Sequence, residues 1–527
     1  MKCSLLGLAV LSFVAACTPK LSLDGRPCPC ADGYRCCNVF ADGQVAGGEP
    51  ICVPQTSCES HLSADATSVR QGGTVTVTVM ATSLASQAVV DGILRDSSGK
   101  SANVRVTGTA RSNVGGSRVD LAFTVPHGQT PGRYELVFPL GVDGAARSFE
   151  TPFDVSFISV SPTGSDANGG THAAPFATIT RAIGAAADKD TIDLAGDAVY
   201  GVDDLHPRLS LPDGVTLKSD GRMATVRATL DFERNATVRG VHVTMLDAHV
   251  TWPGAQIILD DVQVEESGPE GAIIVEAMAS LATITITGQS VLKSTASPLV
   301  ELFAPHAKLQ VAEQSTLETR GAAAAIGAHG RESTLLIGDG RAPAVVVRSW
   351  GQDAVIEDAV PGSALVSLNR VTLAGFLHVL GETTHVNVVE TDFYASGRET
   401  TAGIQFRGSH MDVSDSHFYT MGIVQDRPLS EVTLRRCTFS YPTWGYHLTS
   451  GSLDLGHAMN PGYNEFTSDS TSAVALWIDG LDGNAAVTSC MSKVNGVIPE
   501  PVAVAQPDTV DTVFKLEAKD SVVFYDQ

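Results

Sequence analysis

The sequence predicts a mainly β protein whose C-terminal two-thirds winds into a parallel β-solenoid. The leading observation is a unit that keeps returning from about Val238 onward: apolar–x–apolar, a short polar break, then another apolar residue. Ile284-Thr285-Ile286 leads to Val291, Val366-Ser367-Leu368 to Leu373, and Val386-Asn387-Val388 to Phe393. Met411-Asp412-Val413 leads to Phe418, and Val432-Thr433-Leu434 to Phe439. Alternation with period two marks a strand, and recurrence about every 20–27 residues, with one longer gap, marks stacked turns. One turn cannot bury its apolar face alone, so the turns must stack. Composition is the second observation. The chain is 43% hydrophobic but only 6% aromatic, with 50 Gly, which suits β structure with many turns. At 527 residues it is too long for one ordinary core unless that core is extended.

Four segments follow in order. Residues 1–16 read as a signal peptide: Lys2 is basic, Leu5 to Ala16 is an apolar run too short for a permanent membrane span, and Ala15-Ala16 precede Cys17. Small residues before a Cys are similar to a bacterial lipobox, which implies cleavage there and a diacylglycerol thioether on Cys17. Thr18 is not Asp, so the sorting rule known for some Gram-negative bacteria implies the outer membrane, with the protein facing the periplasm or the cell surface.

Residues 17–59 carry Cys28, Cys30, Cys36, Cys37, Cys52 and Cys58. Six Cys in about thirty residues of an exported chain predict three disulfides in a loop-rich stalk. A zinc site is the rival reading, but the spacing gives no paired C-x-x-C knuckles and no His lies among them. Cys437 and Cys490, far along the solenoid, are expected to be two buried thiols.

Residues 60–156 change character. Thr74 to Val79, Val104 to Val106 and Val119 to Phe123 alternate, and Pro131-Gly132-Arg133-Tyr134 reads as a turn into a strand. Short strands with turn signals at roughly ten-residue intervals predict an immunoglobulin-like β-sandwich acting as a spacer.

Residues 157–527 form the solenoid. Its start reads Ser161-Pro162-Thr163-Gly164-Ser165-Asp166, then Gly169-Gly170, then Ala174-Pro175-Phe176-Ala177-Thr178-Ile179. A short amphipathic helix is expected over roughly Thr180 to Ala187, with Ile179, Ala182, Ile183 and Ala186 on one face, before Asp190 to Leu194 begins the first turn. A helix laid there covers the open end, which otherwise exposes apolar interior and an unpaired edge. This stretch resembles the N-terminal cap of pectate-lyase-like right-handed parallel β-helix proteins, in a bacterial family known only as a domain of unknown function. Late in the chain, Leu453-Asp454-Leu455-Gly456 and Pro461-Gly462-Tyr463-Asn464-Glu465-Phe466 are similar to late turns of such proteins, where the Asn sits inside a bend. The resemblance implies a right-handed parallel β-helix, export and association with surface carbohydrate. It implies no reaction, since relatives of that fold include lyases, hydrolases, binding proteins and spacers.

Chemistry is sparse. Ala328-His329-Gly330 is the nearest approach to a hydrolase G-H-G, Asp260-Asp261 is isolated from it, and no R-x-K follows. A lyase would need acidic Ca²⁺ ligands and a base, yet no Ca²⁺ motif is found, and the adjacent Arg435-Arg436 are expected to point outward from a strand end. No catalytic residue, metal ligand or cofactor is therefore assigned. Aligning turns places Asn387, Asp412, Thr433 and Asp454 in one outward ladder and Asp392, His417 and Thr438 in a second. Tyr394 and Tyr419 follow inward Phe residues, so they face out one turn apart, with Trp444 and Tyr446 expected a little beyond. An ordinary solvated face is the bland alternative. Rings beside carboxylates also hold sugars, so Tyr394, Tyr419, Asp392, Asp412, His417 and Trp444 are the candidate carbohydrate-binding residues. The formal net charge of −23 repels phosphates and removes nucleic acid as a partner, leaving the lipid anchor and polysaccharide. The expectation is a non-catalytic structural or carbohydrate-binding surface lipoprotein; a polysaccharide lyase or hydrolase, or an adhesin, are the alternatives.

Overall fold

The computed structural model describes residues 145–494 apart from short loops, most of 63–142, and strand pieces at 34–37, 51–54 and 513–517. The signal segment, Cys17, Cys28, Cys30, Cys58 and Cys490 lie outside the described residues. Tyr34–Cys37 and Ile51–Pro54 pair antiparallel, with Cys36 opposite Cys52 along the backbone. The chain divides into two compact units: residues 1–69 with 73–156, and residues 70–72 with 157–527.

In the first unit, eight strands from Ser63–Ala64 to Ala145–Ser156 join in one sheet, seven of them paired antiparallel in succession. Its own core holds Val75, Val77, Leu94, Leu121, Phe123, Tyr134, Leu136 and Phe153. Gly108 sits mid-strand because Phe123 occupies the space a side chain would need: a Cβ there would fall 2.5 Å from the Phe123 ring. The buried Tyr134 turns its hydroxyl back to donate to the Thr130 carbonyl at 2.8 Å, satisfying a polar group that burial would otherwise penalise.

The second unit is a parallel β-solenoid of the right-handed type, of about 10 turns. Each full turn supplies three strands. The first stack runs from Ile158–Val160 and Thr191–Leu194 through strands such as Gln256–Asp260 and His385–Val389 to Ala485–Ser489. After a tight bend comes the second stack, including Asp392–Tyr394 and His417–Tyr419. After a longer turn comes the third, whose three-residue strands include Ala248–Val250, Val300–Leu302, Ile326–Ala328 and Ile356–Asp358. Register fixes the length of a turn, from 16 residues between Leu230 and Leu246 to 34 between Leu453 and Val487.

Parallel register puts like positions on top of one another. Val238, Leu259, Ile286, Val311, Ile337, Leu368, Val388, Val413 and Leu434 form one inward column. Phe393, Phe418, Phe439 and Phe466 form another, their rings parallel at 4.5, 4.5 and 4.6 Å. Burying each such ring contributes about 2–3 kcal/mol. Val291 departs from expectation. The bend through Gly288 to Ser290 is one residue longer than the preceding one, six positions from Ile286 to Leu292 against five from Leu259 to Val264, so Val291 is only half-buried and Leu292 takes the inward slot.

The bend between first and second stacks is made by residues at positive φ: Gly240, Asp261, Arg370, Glu390, Asp415 and Arg436. Polar side chains tolerate this conformation and face water there. Just inside the bend, buried Thr391, Ser416, Cys437, Asn464 and Ser492 satisfy backbone groups. Asn464 accepts from the Cys437 amide at 3.0 Å and donates to the Leu434 and Leu455 carbonyls, as the sequence led us to expect. The Cys437 thiol is free and fully buried, and burial pushes it up to about 12.

At the N-terminal end Ile158, Val160, Phe176, Ile179 and Ala182 join the solenoid core. The helix spans Ile179–Ile183, shorter than expected, because Thr178 caps its start and Gly184 ends it. The glycines of the start motif have a packing reason. A Cβ on Gly164 would meet the Pro175 carbonyl at 2.5 Å, and one on Gly170, at φ +72°, would meet the Phe176 ring at 2.3 Å. Asp166 accepts from the Ala177 and Thr178 amides and the Thr178 hydroxyl, tying the loop to the helix cap.

One inward column carries an acid. Asp358 occupies the slot filled in neighbouring turns by Val250, Val275, Leu302, Ala328, Val379 and Phe406. It accepts from the Thr384 hydroxyl at 2.5 Å, and burial pushes its carboxyl from 3.8 up to about 6. A carboxyl raised in this way binds its proton more tightly folded than unfolded. The stability it lends is present below about pH 4 and lost as pH rises through about 6, an effect of roughly 3 kcal/mol. We therefore predict that Asp358→Val, matching its column, removes this pH 4–6 slope and raises stability at pH 7 by about 2 kcal/mol. Denaturant unfolding of both proteins across pH checks it.

Candidate functional site

The second stack presents the aromatic face. Because Phe393 and Phe418 point inward, their strand neighbours point out. Register sets Asp392 opposite His417 and Tyr394 opposite Tyr419. The two tyrosines are 38% and 37% exposed and their rings lie parallel, 4.7 Å apart with 7° between planes. His417 Nδ1 is 3.1 Å from Asp392 Oδ1, and the His417 ring is 6.1 Å from that of Tyr419. Partial burial first, then the Asp392 charge and the neighbouring Tyr419, push the Tyr394 phenol above its ordinary value. The face therefore offers two stacked rings, a carboxylate and an imidazole within two adjacent turns.

Across the bend, the first stack aligns Asn387, Asp412, Thr433 and Asp454. Asp412 lies 2.9 Å from His410 Nε2, and His410 follows His385 one turn earlier with ring centroids 6.1 Å apart. At the corner between the faces, Arg370 pairs with Glu390 and Arg436 with Asp415. These pairs join successive turns at exposed positions, where each contributes about 0–1 kcal/mol.

Several sequence-predicted residues are placed elsewhere. Trp444 belongs to the third stack; it is half-buried against the core and edge-on to His447 at 6.0 Å. Tyr446 is fully buried and donates its hydroxyl to Gln425 Oε1 at 2.6 Å, so it exposes no ring. Both lie in the third stack, where Tyr446 continues the inward column of Ile404 and Ile423 and is followed by Leu476, rather than on the second-stack face that carries the tyrosines. Arg435 is buried rather than outward. Its guanidinium donates to the Leu434 and Asp454 carbonyls and to Asp454 Oδ2 at 2.6 Å. Asp260 and Asp261 are structural: Asp260 pairs with Arg239 at 2.7 Å and Asp261 accepts from the Gln289 amide at 2.7 Å. His329 lies at the end of a third-stack strand, away from that pair. Among the described residues no group of three or more His, Cys, Asp or Glu is arranged to hold a metal ion.

The contrast between Asp412 and Asp454 is testable. Asp454→Ala leaves the buried Arg435 charge without its carboxylate and is expected to cost about 2 kcal/mol. Asp412→Ala, in the same ladder but paired only at the surface, is expected to cost under about 1 kcal/mol. Urea unfolding midpoints of the two variants distinguish them.

Residues 162–296, which hold the cap and the first turns, match a family model described as a protein of unknown function (DUF1565). No curated protein matches the chain. The match and the stacked parallel strands together fit a β-helix family whose function is unknown.

Proposed function

We propose that this protein is an exported, lipid-anchored surface protein whose solenoid binds carbohydrate without catalysing a reaction. The observation that carries the reading is the pair of exposed, parallel tyrosines on adjacent turns beside Asp392 and His417. A sugar ring lays its C–H face on an aromatic ring while its hydroxyls find carboxylate or imidazole partners. Asp260, Asp261 and Asp454 are committed to structural partners within the protein, which favours binding over acid–base chemistry. Export and anchoring rest on the apolar run ending Ala15-Ala16-Cys17, with the outer membrane as destination. The Cys-rich segment acts as a disulfide-stapled stalk, and the first unit as an immunoglobulin-like spacer; the back-bonded Tyr134 hydroxyl suits that reading.

Two outcomes test it. Replacing Tyr394 and Tyr419 together by Ala should weaken retention on the cognate glycan, found by array, at least about tenfold, with the fold intact by circular dichroism. Unchanged retention, or release of unsaturated or reducing sugar by the parent protein, would contradict the reading. Separately, Cys17→Ser should move the protein from the membrane fraction to the soluble fraction and abolish labelling by radioactive palmitate.

A further inference from the structure

The third stack carries a second cluster that the tyrosine face does not involve. Register aligns His249, Ile274, Glu301, Gly327, Glu357 and His378 at the outward middle position of successive strands. Backbone hydrogen bonds to Val250, Val275 and Leu302 align Glu276, Phe303 and His329 just past those strands. Two acid–imidazole pairs cross from one ladder to the other with their roles exchanged: His249 with Glu276 at 3.3 Å, and Glu301 with His329 at 2.5 Å. Between them Phe303 is 42% exposed and stacks on the His329 ring, centroids 4.8 Å apart and planes within 15°.

The second pair is built in. A Cβ on Gly327 would lie 2.3 Å from Glu301 Oε2 and 2.6 Å from His329 Nε2, so the missing side chain is what lets the two meet. Glu301 is buried, with His329 as its partner. Among the described residues the other imidazole nitrogen, Nδ1, has no hydrogen-bond partner. The Glu301 hydrogen bond raises the basicity of His329, against the effect of burial, and Glu357 and Asp358 of the next rung add to the rise. His378, further along, is held down by burial and keeps a buried Nε2 without a hydrogen-bond partner.

We propose that the stacked Phe303–His329 pair, with Glu301 held against it across Gly327, is a binding site for a pyranose sugar that carries no acidic group. The aromatic surface takes the apolar face of the ring, while His329 Nδ1 and the Glu301 and Glu357 carboxylates take hydroxyls. The same carboxylates, on a chain of net charge −23, repel a uronate. The site lies on a different strand stack from Tyr394 and Tyr419 and does not rest on their role.

The test follows the His329 imidazole signal by NMR in the full protein, assigned through His329→Gln. The probes are pentamers of glucose, galactose, mannose, xylose and N-acetylglucosamine, with a galacturonate pentamer beside them. At least one neutral pentamer should bind and shift that signal, and the galacturonate pentamer should not. Phe303→Ala should weaken the binding about tenfold, and Glu301→Gln should also weaken it. The double change Tyr394→Ala with Tyr419→Ala should leave it within about twofold. No shift with any neutral pentamer, preference for galacturonate, or affinity indifferent to both Phe303→Ala and Glu301→Gln would overturn the assignment. Should Phe303→Ala not fold, Glu301→Gln alone decides.

Discussion

A turn of this solenoid has no interior until another turn lies on it. Val388 alone would face water on two sides; with Leu368 above and Val413 below it is fully buried. Everything else follows from keeping those positions in register. Between one strand and the next the backbone must turn without slipping, which is why positive-φ residues recur at the same corner and why polar groups gather behind it. Asn464 shows the cost avoided: buried among apolar columns, it exchanges hydrogen bonds with three backbone groups that would otherwise be stranded.

Register that aligns the inside also aligns the outside. The Phe column and the Tyr pair are the same geometry on opposite sides of one strand, with ring spacings of 4.5 Å within and 4.7 Å without. Carboxylates and imidazoles likewise meet across turns, as in Asp392 with His417 and Glu301 with His329. Chemistry on such a surface arises between turns, from residues 25 and 28 positions apart in these two pairs. Evolutionary change of a single outward residue can therefore alter a surface without disturbing a core column, provided no register shift accompanies it.

That separation explains what could be read from the sequence. Strands of the first two stacks alternate cleanly, so Phe393, Phe418, Phe439, the Asn387-to-Asp454 ladder and the outward tyrosines are legible in the sequence alone. The third stack was not. Its strands, such as Ile273–Val275 and Val300–Leu302, are three residues long and buried throughout, which leaves no period to detect. Glu301 and His329 meet only because that hidden stack brings them together over a glycine. Tyr446 was misplaced because it belongs to that hidden stack, in the inward column of Ile404 and Ile423. Val291 was misplaced because one extra residue in the preceding bend changes which way a side chain points, and Arg435 keeps its register but folds its guanidinium back onto Asp454; neither feature is marked by residue type. Asp358 illustrates the opposite limit, an acid in a column whose other members are apolar and which composition alone would assign to the surface.

The central claim is that successive turns advance along a single axis in fixed register. Pairs of spin labels on the outward ladder of the first stack measure this directly. Thr285 and Asn387 are four rungs apart, and Thr285 and Asp454 seven. At about 4.8 Å per rung the interlabel distances should be roughly 19 Å and 34 Å, rising linearly with the number of turns. Distances that fail to scale with turn number, or a Thr285–Asp454 separation no longer than Thr285–Asn387, would contradict the stacked architecture.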